Sequence, residues 1–272
     1  MLYLVATPIG NLGDFSPRAR EVLEKADIVA CEDTRTSRQL FSLLGIHVKK
    51  TIAYHDFNEE KAVPGLIQKL QEGIDIALVS DAGMPLISDP GYKLVHACRQ
   101  QKIPVTSVPG PNAVLAALQL SGLPSNAFYF GGFLPPKKAQ REKVLSDVAP
   151  LSATLIFYET ANRLSDTLAS LQNVLGNRSM AVVREITKKF EQTQTGTISE
   201  LSDLYQQNGT PKGEIVLVIQ GCTTPKRSSA GDISIQKLRT FLSAKDTAQV
   251  LALTQNISKK EAYAQVLAND KL

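Results

Sequence analysis

Cysteine is scarce and unpatterned in this 272-residue sequence: Cys31, Cys98 and Cys222 lie far apart and form no Cys-x-x-Cys pair. An odd, scattered set of thiols argues against a disulfide framework and a zinc ribbon, and points to a reducing compartment. The histidines His47, His55 and His96 stand at no metal-ligating spacing, His96 and Cys98 together offering two ligands at best, so no metal is expected. Long apolar runs are missing as well. Leu2 to Ala6 is too short for a signal-peptide core and has no basic residues before it, and no later stretch reaches the length of a membrane span. These absences predict a soluble, cytoplasmic chain with no membrane partner. No Gly-x-Gly-x-x-Gly follows a strand-like segment and no Gly-Lys-Ser/Thr loop occurs, which lowers the case for a dehydrogenase or an NTPase. Gly-x-Ser-x-Gly, the elbow of an α/β-hydrolase, is also absent. Excess charge is small: a net +4 permits a nucleic-acid partner without requiring one.

What is present is enough for two cores. With 43% hydrophobic residues over 272 positions, the chain suits two compact domains and an appendage, taking roughly 150 residues per domain. Short β-branched runs alternate with amphipathic helical patterns in the first part, the mark of βαβ units and a largely parallel sheet. Strands are expected at Leu2 to Ala6, Ile28 to Glu32, Thr51 to His55, Ile76 to Ser80 and Pro104 to Val108. Helices are expected from Ser16 as N-cap with Pro17 at N1, from Thr36 to Gly45, from Asn58 to Gly73 with a kink at Pro64, and from Asp89 with Pro90 at N1. Beyond Ser121 the texture changes. Strands at Phe128 to Phe133, Ala153 to Glu159, Ser179 to Ile186 and Gly213 to Gln220 alternate with helices at Lys137 to Val148, Asn162 to Leu175 and Ser199 to Gln207. The expected division is an α/β domain over 1–121, a second over 122–222, a polar linker over 223–232, and a helical extension over 233–272. The extension reads as helices at Ile233 to Leu242, Thr247 to Thr254 and Ser258 to Ala268, broken at Asn256 and Ile257. Ser258 and Glu261 stand at capping-box spacing, and both a helix-turn-helix-like module and a helical hairpin fit this pattern.

Three loops after expected strands are dense in Gly and Pro: Thr7-Pro-Ile-Gly-Asn-Leu-Gly, Asp81-Ala-Gly-Met-Pro-Leu-Ile-Ser-Asp-Pro-Gly and Pro109-Gly-Pro-Asn. Ligands of open parallel sheets bind outside the carboxyl ends of the strands, so these loops should converge on one site. Glycine allows close backbone approach and proline fixes loop shape, while the missing phosphate cradle suits a ligand without a pyrophosphate, such as S-adenosylmethionine.

The sequence as a whole resembles a known family. Val5-Ala-Thr-Pro-Ile-Gly-Asn-Leu-Gly-Asp, Cys31-Glu-Asp-Thr-Arg, the run from Ala77 through Gly91, and Val108-Pro-Gly-Pro resemble the tetrapyrrole methylase superfamily, the class III methyltransferases. Gly132-Phe-Leu-Pro, Leu155-Ile-Phe-Tyr-Glu, Arg184-Glu-Ile-Thr-Lys and Lys212-Gly-Glu extend the resemblance to about Gly221. Within that superfamily the likeness is to the bacterial enzymes that methylate the ribose 2′-hydroxyl of a cytidine in small-subunit (16S) ribosomal RNA. One departure is Met84, where the family usually has threonine. The resemblance implies two α/β domains, S-adenosylmethionine in the cleft between them, a homodimer, and 16S rRNA or the small ribosomal subunit as partner. Carried onto this chain, the cofactor site takes Pro8, Asp81, Ala82, Gly83, Ile87, Gly110 and Ala113 from the first domain, and Tyr158, Ile186 and Gly213 from the second.

Methyl transfer to a hydroxyl is an in-line displacement whose nucleophile must lose a proton, so a carboxylate at a strand end is a candidate base. Glu32, Asp33, Glu159 and Glu185 hold such positions. RNA needs phosphate contacts first, and Arg35, Arg38, Lys137, Lys138, Arg141, Arg184, Lys188 and Lys189 near strand ends form a candidate basic rim. A class III methyltransferase of a small molecule such as a tetrapyrrole, and a non-catalytic ribosome-binding protein, are the alternatives. RNA-dependent activity separates the first, and cofactor binding the second.

Overall fold

The computed structural model of the chain describes residues 1–209, 212–223, 235–255 and 257–269. Residues 224–232 of the expected linker, Ile233, and the expected helix break at Asn256 lie outside them. Backbone proximity divides the chain into two units: Met1–Ala149 with Ala153–Gly221, and Pro150–Ser152 with Cys222–Leu272.

The larger unit contains two sheets. The first is built from β1 (Leu2–Val5), β2 (Ile28–Cys31), β3 (Thr51–Ala53), β4 (Ile76–Val79) and β5 (Val105–Val108), in the order β3-β2-β4-β1-β5. Every pairing in it is parallel. Parallel sheets bury both faces, and the sequences Ile-Val-Ala-Cys of β2 and Ile-Ala-Leu-Val of β4 are accordingly apolar throughout and buried at every position. The crossover helices are α1 (Pro17–Lys25), α2 (Thr34–Leu44), α3 (Glu59–Gln71) and α4 (Tyr92–Gln100). Ser16 caps α1 by accepting from Ala19 N at 3.1 Å, with Pro17 at N1 as its sequence predicts. Asp33 caps α2 by accepting from Arg35 N at 2.7 Å, and α3 is one helix containing Pro64. The fourth helix departs from expectation. It begins at Tyr92 rather than near Asp89, because Leu86 (φ 73°), Ser88 (φ 66°) and Gly91 (φ 138°) take non-helical, left-handed backbone and keep the loop open through Gly91.

The second sheet is mixed. β6 (Phe128–Phe133) runs parallel to β7 (Thr154–Thr160), and β8 (Ser179–Arg184), β9 (Gln192–Thr197) and β10 (Glu214–Ile219) are antiparallel to their neighbours, in the order β6-β7-β10-β8-β9. Helices α6 (Lys138–Val148), α7 (Leu164–Leu175) and α8 (Ile198–Asn208) cover one face, together with Phe157, Val182 and Leu217. The other face receives α5 (Ala113–Ser121), the helix that follows the last strand of the first sheet. Val114, Ala117 and Leu118 of α5 pack on Ile156, Ala181, Val183 and Val216, so this helix, which continues the chain from the first sheet, belongs to the core of the second. Each Val or Leu buried in this way contributes about 1.5–3 kcal/mol. Neither α5 nor β9 is among the elements expected from sequence. The first is apolar nearly all round and the second, Gln-Thr-Gln-Thr-Gly-Thr, is a polar edge strand, so neither shows the period that marks its type.

The smaller unit holds α9 (Ile235–Arg239), α10 (Ala244–Gln255) and α11 (Lys259–Asn269) around Ala248, Leu251, Ala262 and Val266. Helix α10 starts before the expected Thr247, because Ser243 supplies the cap: its Oγ accepts from Asp246 N at 3.2 Å, and Thr247 is buried within the helix. Ser258 caps α11 by accepting from Glu261 N at 3.2 Å, at the spacing expected. No helix among the described residues is long and apolar enough to cross a membrane.

Candidate functional site

The three Gly/Pro loops meet at the carboxyl edge of the first sheet. Just past β1 and β4, Thr7 and Gly83 exchange backbone hydrogen bonds of 2.9 and 3.1 Å, and the Thr7 hydroxyl donates to Ser80 O at 3.2 Å. The loop after β5 joins from the other side of β1, where Ala6 N donates to Val108 O at 3.2 Å. Gly110 lies so close to Ala6 that a Cβ placed on it would stand 2.9 Å from the alanine methyl. The facing wall belongs to the second sheet, where the end of β7 pairs with the start of β10, Thr160 opposite Glu214 and Tyr158 opposite Val216. Between the walls is a cavity of about 280 Å³.

Of the expected cofactor residues, Ala82, Gly83, Ile87, Ala113, Tyr158 and Gly213 line this cavity, and Pro8, Asp81, Gly110 and Ile186 do not. Pro8 and Ile186 are buried. Asp81 belongs to a two-way clasp between the ends of β2 and β4: its carboxylate accepts from Asp33 N at 3.1 Å, and its own N–H donates to Glu32 Oε2 at 3.2 Å. Gly83 holds φ +83°, a conformation that few side chains tolerate. Sequence reasoning missed Ile9, Met84, Ser88, Asp89, Asn112 and Phe133, all on the cavity wall. The signal for Ser88 and Asp89 lay in the loop motif itself, and Met84 is the position at which the motif departs from its usual form.

The carboxylates fall into distinct classes. Glu159 is buried and saturated, accepting from Thr160 N at 2.7 Å and Thr167 Oγ1 at 2.6 Å, with Arg163 Nε at 3.3 Å. Glu185 accepts from Glu214 N and Lys188 Nζ, both at 3.0 Å, and these donors hold its carboxyl below the usual range. The Asp33 carboxyl is held down at about 2 by its bonds to Arg35. Glu32 moves the other way, raised by burial against the opposing hydrogen bond from the Asp81 N–H, with the charges of Asp81, Asp56 and Asp33 adding to the rise. Asp89, not among the expected candidates, is pushed up to about 7 by desolvation, with the charge of Glu32 adding to the rise and the Ser80 hydroxyl opposing it. Burial also lifts the Tyr158 phenol to about 12, so it stays a hydrogen-bond donor at neutral pH. Among the described residues no group of three or more His, Cys, Asp or Glu could hold a metal ion.

The expected basic rim is only partly free. Arg141 is a correction: it is buried, with Nε donating to Ser170 Oγ at 2.9 Å and its terminal nitrogens to the carbonyls of Pro136 and Asp166, both at 3.2 Å. It holds α6 to α7 and offers RNA nothing. Lys188 is tied to Glu185 at 3.0 Å and Glu214 at 2.9 Å, and its stem covers Gly10. Beside it Thr187 (φ 63°) donates to Asp14 Oδ2 at 2.6 Å, which links the β8–β9 loop to the loop after β1. Arg184 donates to Lys212 O at 2.9 Å. Arg35 pairs with Asp33, Arg38 leans on Thr51, and Lys138 approaches Glu142 at 3.9 Å, yet all three remain exposed, as do Lys137 and Lys189.

Comparison with known proteins matches residues 1–202 to the family described as tetrapyrrole (corrin/porphyrin) methylases. Curated relatives include proteins named ribosomal RNA small subunit methyltransferase I. The one from Mesorhizobium japonicum is 47% identical over 98% of this chain and 91% of its own length. Those from Synechocystis and Vibrio cholerae are 45% and 42% identical, covering 97% and 99% of this chain and 96% and 95% of theirs. Among solved structures, a cobalt precorrin-4 methyltransferase of cobalamin biosynthesis superposes with a TM-score of 0.56 at 17% identity, over 80% of this chain and 93% of its own. Uroporphyrin-III C-methyltransferase from Thermus thermophilus does so with a TM-score of 0.52 at 21% identity and the same coverage. Both likenesses are of fold.

Proposed function

Because the chain belongs to the tetrapyrrole methylases, we propose that it is an S-adenosylmethionine-dependent methyltransferase of small-subunit ribosomal RNA, acting on the ribose 2′-hydroxyl of a cytidine. The observation that supports this most is the convergence of three strand-end loops on one cavity closed by the second sheet, in a chain 47% identical to a named ribosomal RNA methyltransferase along nearly its whole length.

The residues present fit a nucleoside carrying an amino-acid arm and no phosphate. The small side chains Ala82 and Ala113 and the bare backbone of Gly83 leave room at the wall. Ile9, Ile87 and Val216 supply apolar surface there, and the start of α5 at Asn112 and Ala113 brings helix N–H groups to the rim. When bound, the cofactor supplies an electrophilic methyl group on a sulfonium. The chain's part is to align the nucleophile, exclude water and take up a proton. Asp89 suits the last task, since a carboxyl group titrating near neutrality can accept a proton at working pH and release it again. Tyr158, neutral on the opposite wall, can donate a hydrogen bond to a substrate oxygen. Glu159 and Glu185 have their lone pairs engaged, and Asp33 is too weak a base. The reading includes a homodimer, for which the exposed Phe128 and Tyr129 on the edge strand β6 offer apolar surface.

The test is incubation of purified protein with methyl-labelled S-adenosylmethionine and small ribosomal subunits or their free RNA, followed by mapping of alkali-resistant linkages. A label at one cytidine ribose is expected. Label appearing only on tetrapyrroles would replace the substrate, and failure to bind the cofactor would leave the non-catalytic ribosome-binding alternative.

A further inference from the structure

The chain's charge is unevenly placed. Residues 1–221 hold twenty-two Lys and Arg against twenty-two Asp and Glu, so the whole net +4 resides in residues 222–272, where eight basic side chains meet four acidic ones. Several cations of the larger unit are also spent on its fold: Arg141 and Arg178 bond backbone carbonyls, Arg163 and Lys188 bond glutamates.

The helical unit shows the reverse. Lys245 in the first turn of α10, and Lys259 and Lys260 opening α11, line a hollow of about 450 Å³ with Ala248, Gln249 and Tyr263. All three lysines are exposed, and none is in an ion pair among the described residues. The acid nearest in sequence to Lys245 is otherwise engaged, Asp246 accepting from Ser243 Oγ at 2.5 Å at the helix cap. Ammonium groups in the first turn of a helix face the positive end of its dipole, an unfavourable arrangement that a bound anion compensates. Glu261 follows Lys260 in the first turn of α11 and forms no ion pair with it among the described residues, so two helix starts and three lysines outside any ion pair line one hollow, with the Gln249 amide and the Tyr263 hydroxyl beside them.

We propose that this hollow is a phosphate-binding surface, by which the C-terminal helices hold the sugar-phosphate backbone of the substrate RNA. The identity of that RNA rests on the methyltransferase reading above; the affinity for a polyanionic backbone does not. Lysines act here as point charges on phosphates, with Gln249 and Tyr263 donating to phosphate or ribose oxygens, so the surface positions RNA without reading its sequence.

The experiment uses full-length protein, a fragment of small-subunit rRNA, and affinities measured at several salt concentrations. Each phosphate contact contributes roughly 0.7–0.9 to the slope of log affinity against log salt, so the triple variant Lys245→Gln, Lys259→Gln, Lys260→Gln should flatten that slope by about 2–3. S-adenosylmethionine affinity and thermal midpoint should be unchanged, and the triple Lys→Arg variant should keep the wild-type slope. Should the triple Gln variant unfold, Lys260→Gln alone is expected to reduce the slope by just under 1. A wild-type slope in the folded Gln variant would overturn the proposal, placing the phosphate contacts on the larger unit. Lost binding to anionic lipid vesicles, with RNA binding intact, would equally overturn it in favour of a membrane surface. Wild-type protein that binds RNA through these lysines but transfers no methyl group would leave the surface standing and remove the enzymatic reading.

Discussion

The two walls of the cavity are built on opposite electrostatic principles. On the second sheet Glu159 is enclosed by Arg163, Thr167 and the Thr160 N–H, and behind the wall Glu185 is held by Lys188 and the Glu214 N–H. On the first sheet's side, burial and the charges of Glu32 and Asp81 oppose ionisation of Asp89, and the nearby Ser80 hydroxyl offsets them in part. The backbone beneath it is strained, with Leu86 and Ser88 at positive φ. Saturated carboxylates stabilise a wall and have no free lone pair for a substrate. An unsatisfied one is costly to fold around and available for chemistry, which is why the difference separates scaffold from working surface.

The largest effect should come from removing the poorly supported acid. Asp89→Asn is expected to lower the methyl-transfer rate on the order of 10²–10⁴-fold and to abolish the rise in activity as pH passes about 7. Its stability effect has a definite sign. A carboxyl whose folded value lies near 7, above its ordinary 3.8, makes the native state bind more protons, so its contribution is present below the ordinary value and is lost as pH rises through 7. The wild type should therefore lose stability relative to Asp89→Asn between about pH 4 and 7, measured by denaturant titration at each pH. A variant with an unchanged pH–rate profile would end the assignment of Asp89 as proton acceptor.

The same substitution on the other wall should do the opposite. Glu159→Gln is expected to cost about 2–3 kcal/mol of stability, because it replaces one of two buried acceptor oxygens by a donor and removes the charge that pairs with Arg163, and to leave the shape of the pH–rate profile alone. A shifted profile with normal stability would erase the contrast between the walls. The smallest effect is expected at the loop backbone. In Gly83→Val the new Cβ has ordinary contacts, 3.4 Å to Ile9 Cγ2, so the penalty is the strain of a β-branched residue at φ +83°, about 1–2 kcal/mol. Circular dichroism should report a native fold, while calorimetric titration reports at least about a tenfold loss of cofactor affinity; a normal affinity would take this loop out of the binding site.

Local patterns in the sequence determined a good deal. Apolar runs bounded by turn residues marked the five parallel strands, Ser16-Pro17 and Gly45 marked helix ends, and the Gly/Pro density of the loops at Thr7, Asp81 and Pro109 pointed to the edge on which the cavity is found, whereas the start of α2 at Thr34, capped by Asp33, lies two residues before the expected Thr36. These features are legible because caps, turns and periods are properties of neighbours in the chain. The strand order, the packing of α5 onto the second sheet, and the fate of each charge were decided only by tertiary structure. Arg141 and Lys138 are three residues apart on one helix, and one is buried against Ser170 while the other is exposed, a difference set by α7 and not by their own segment. Asp89 likewise looks like a helix-start aspartate in sequence. Its carboxyl acquires its chemistry from burial and from Glu32, brought beside it by β2, because desolvation and Coulomb interaction depend on distance in space and not on separation along the chain.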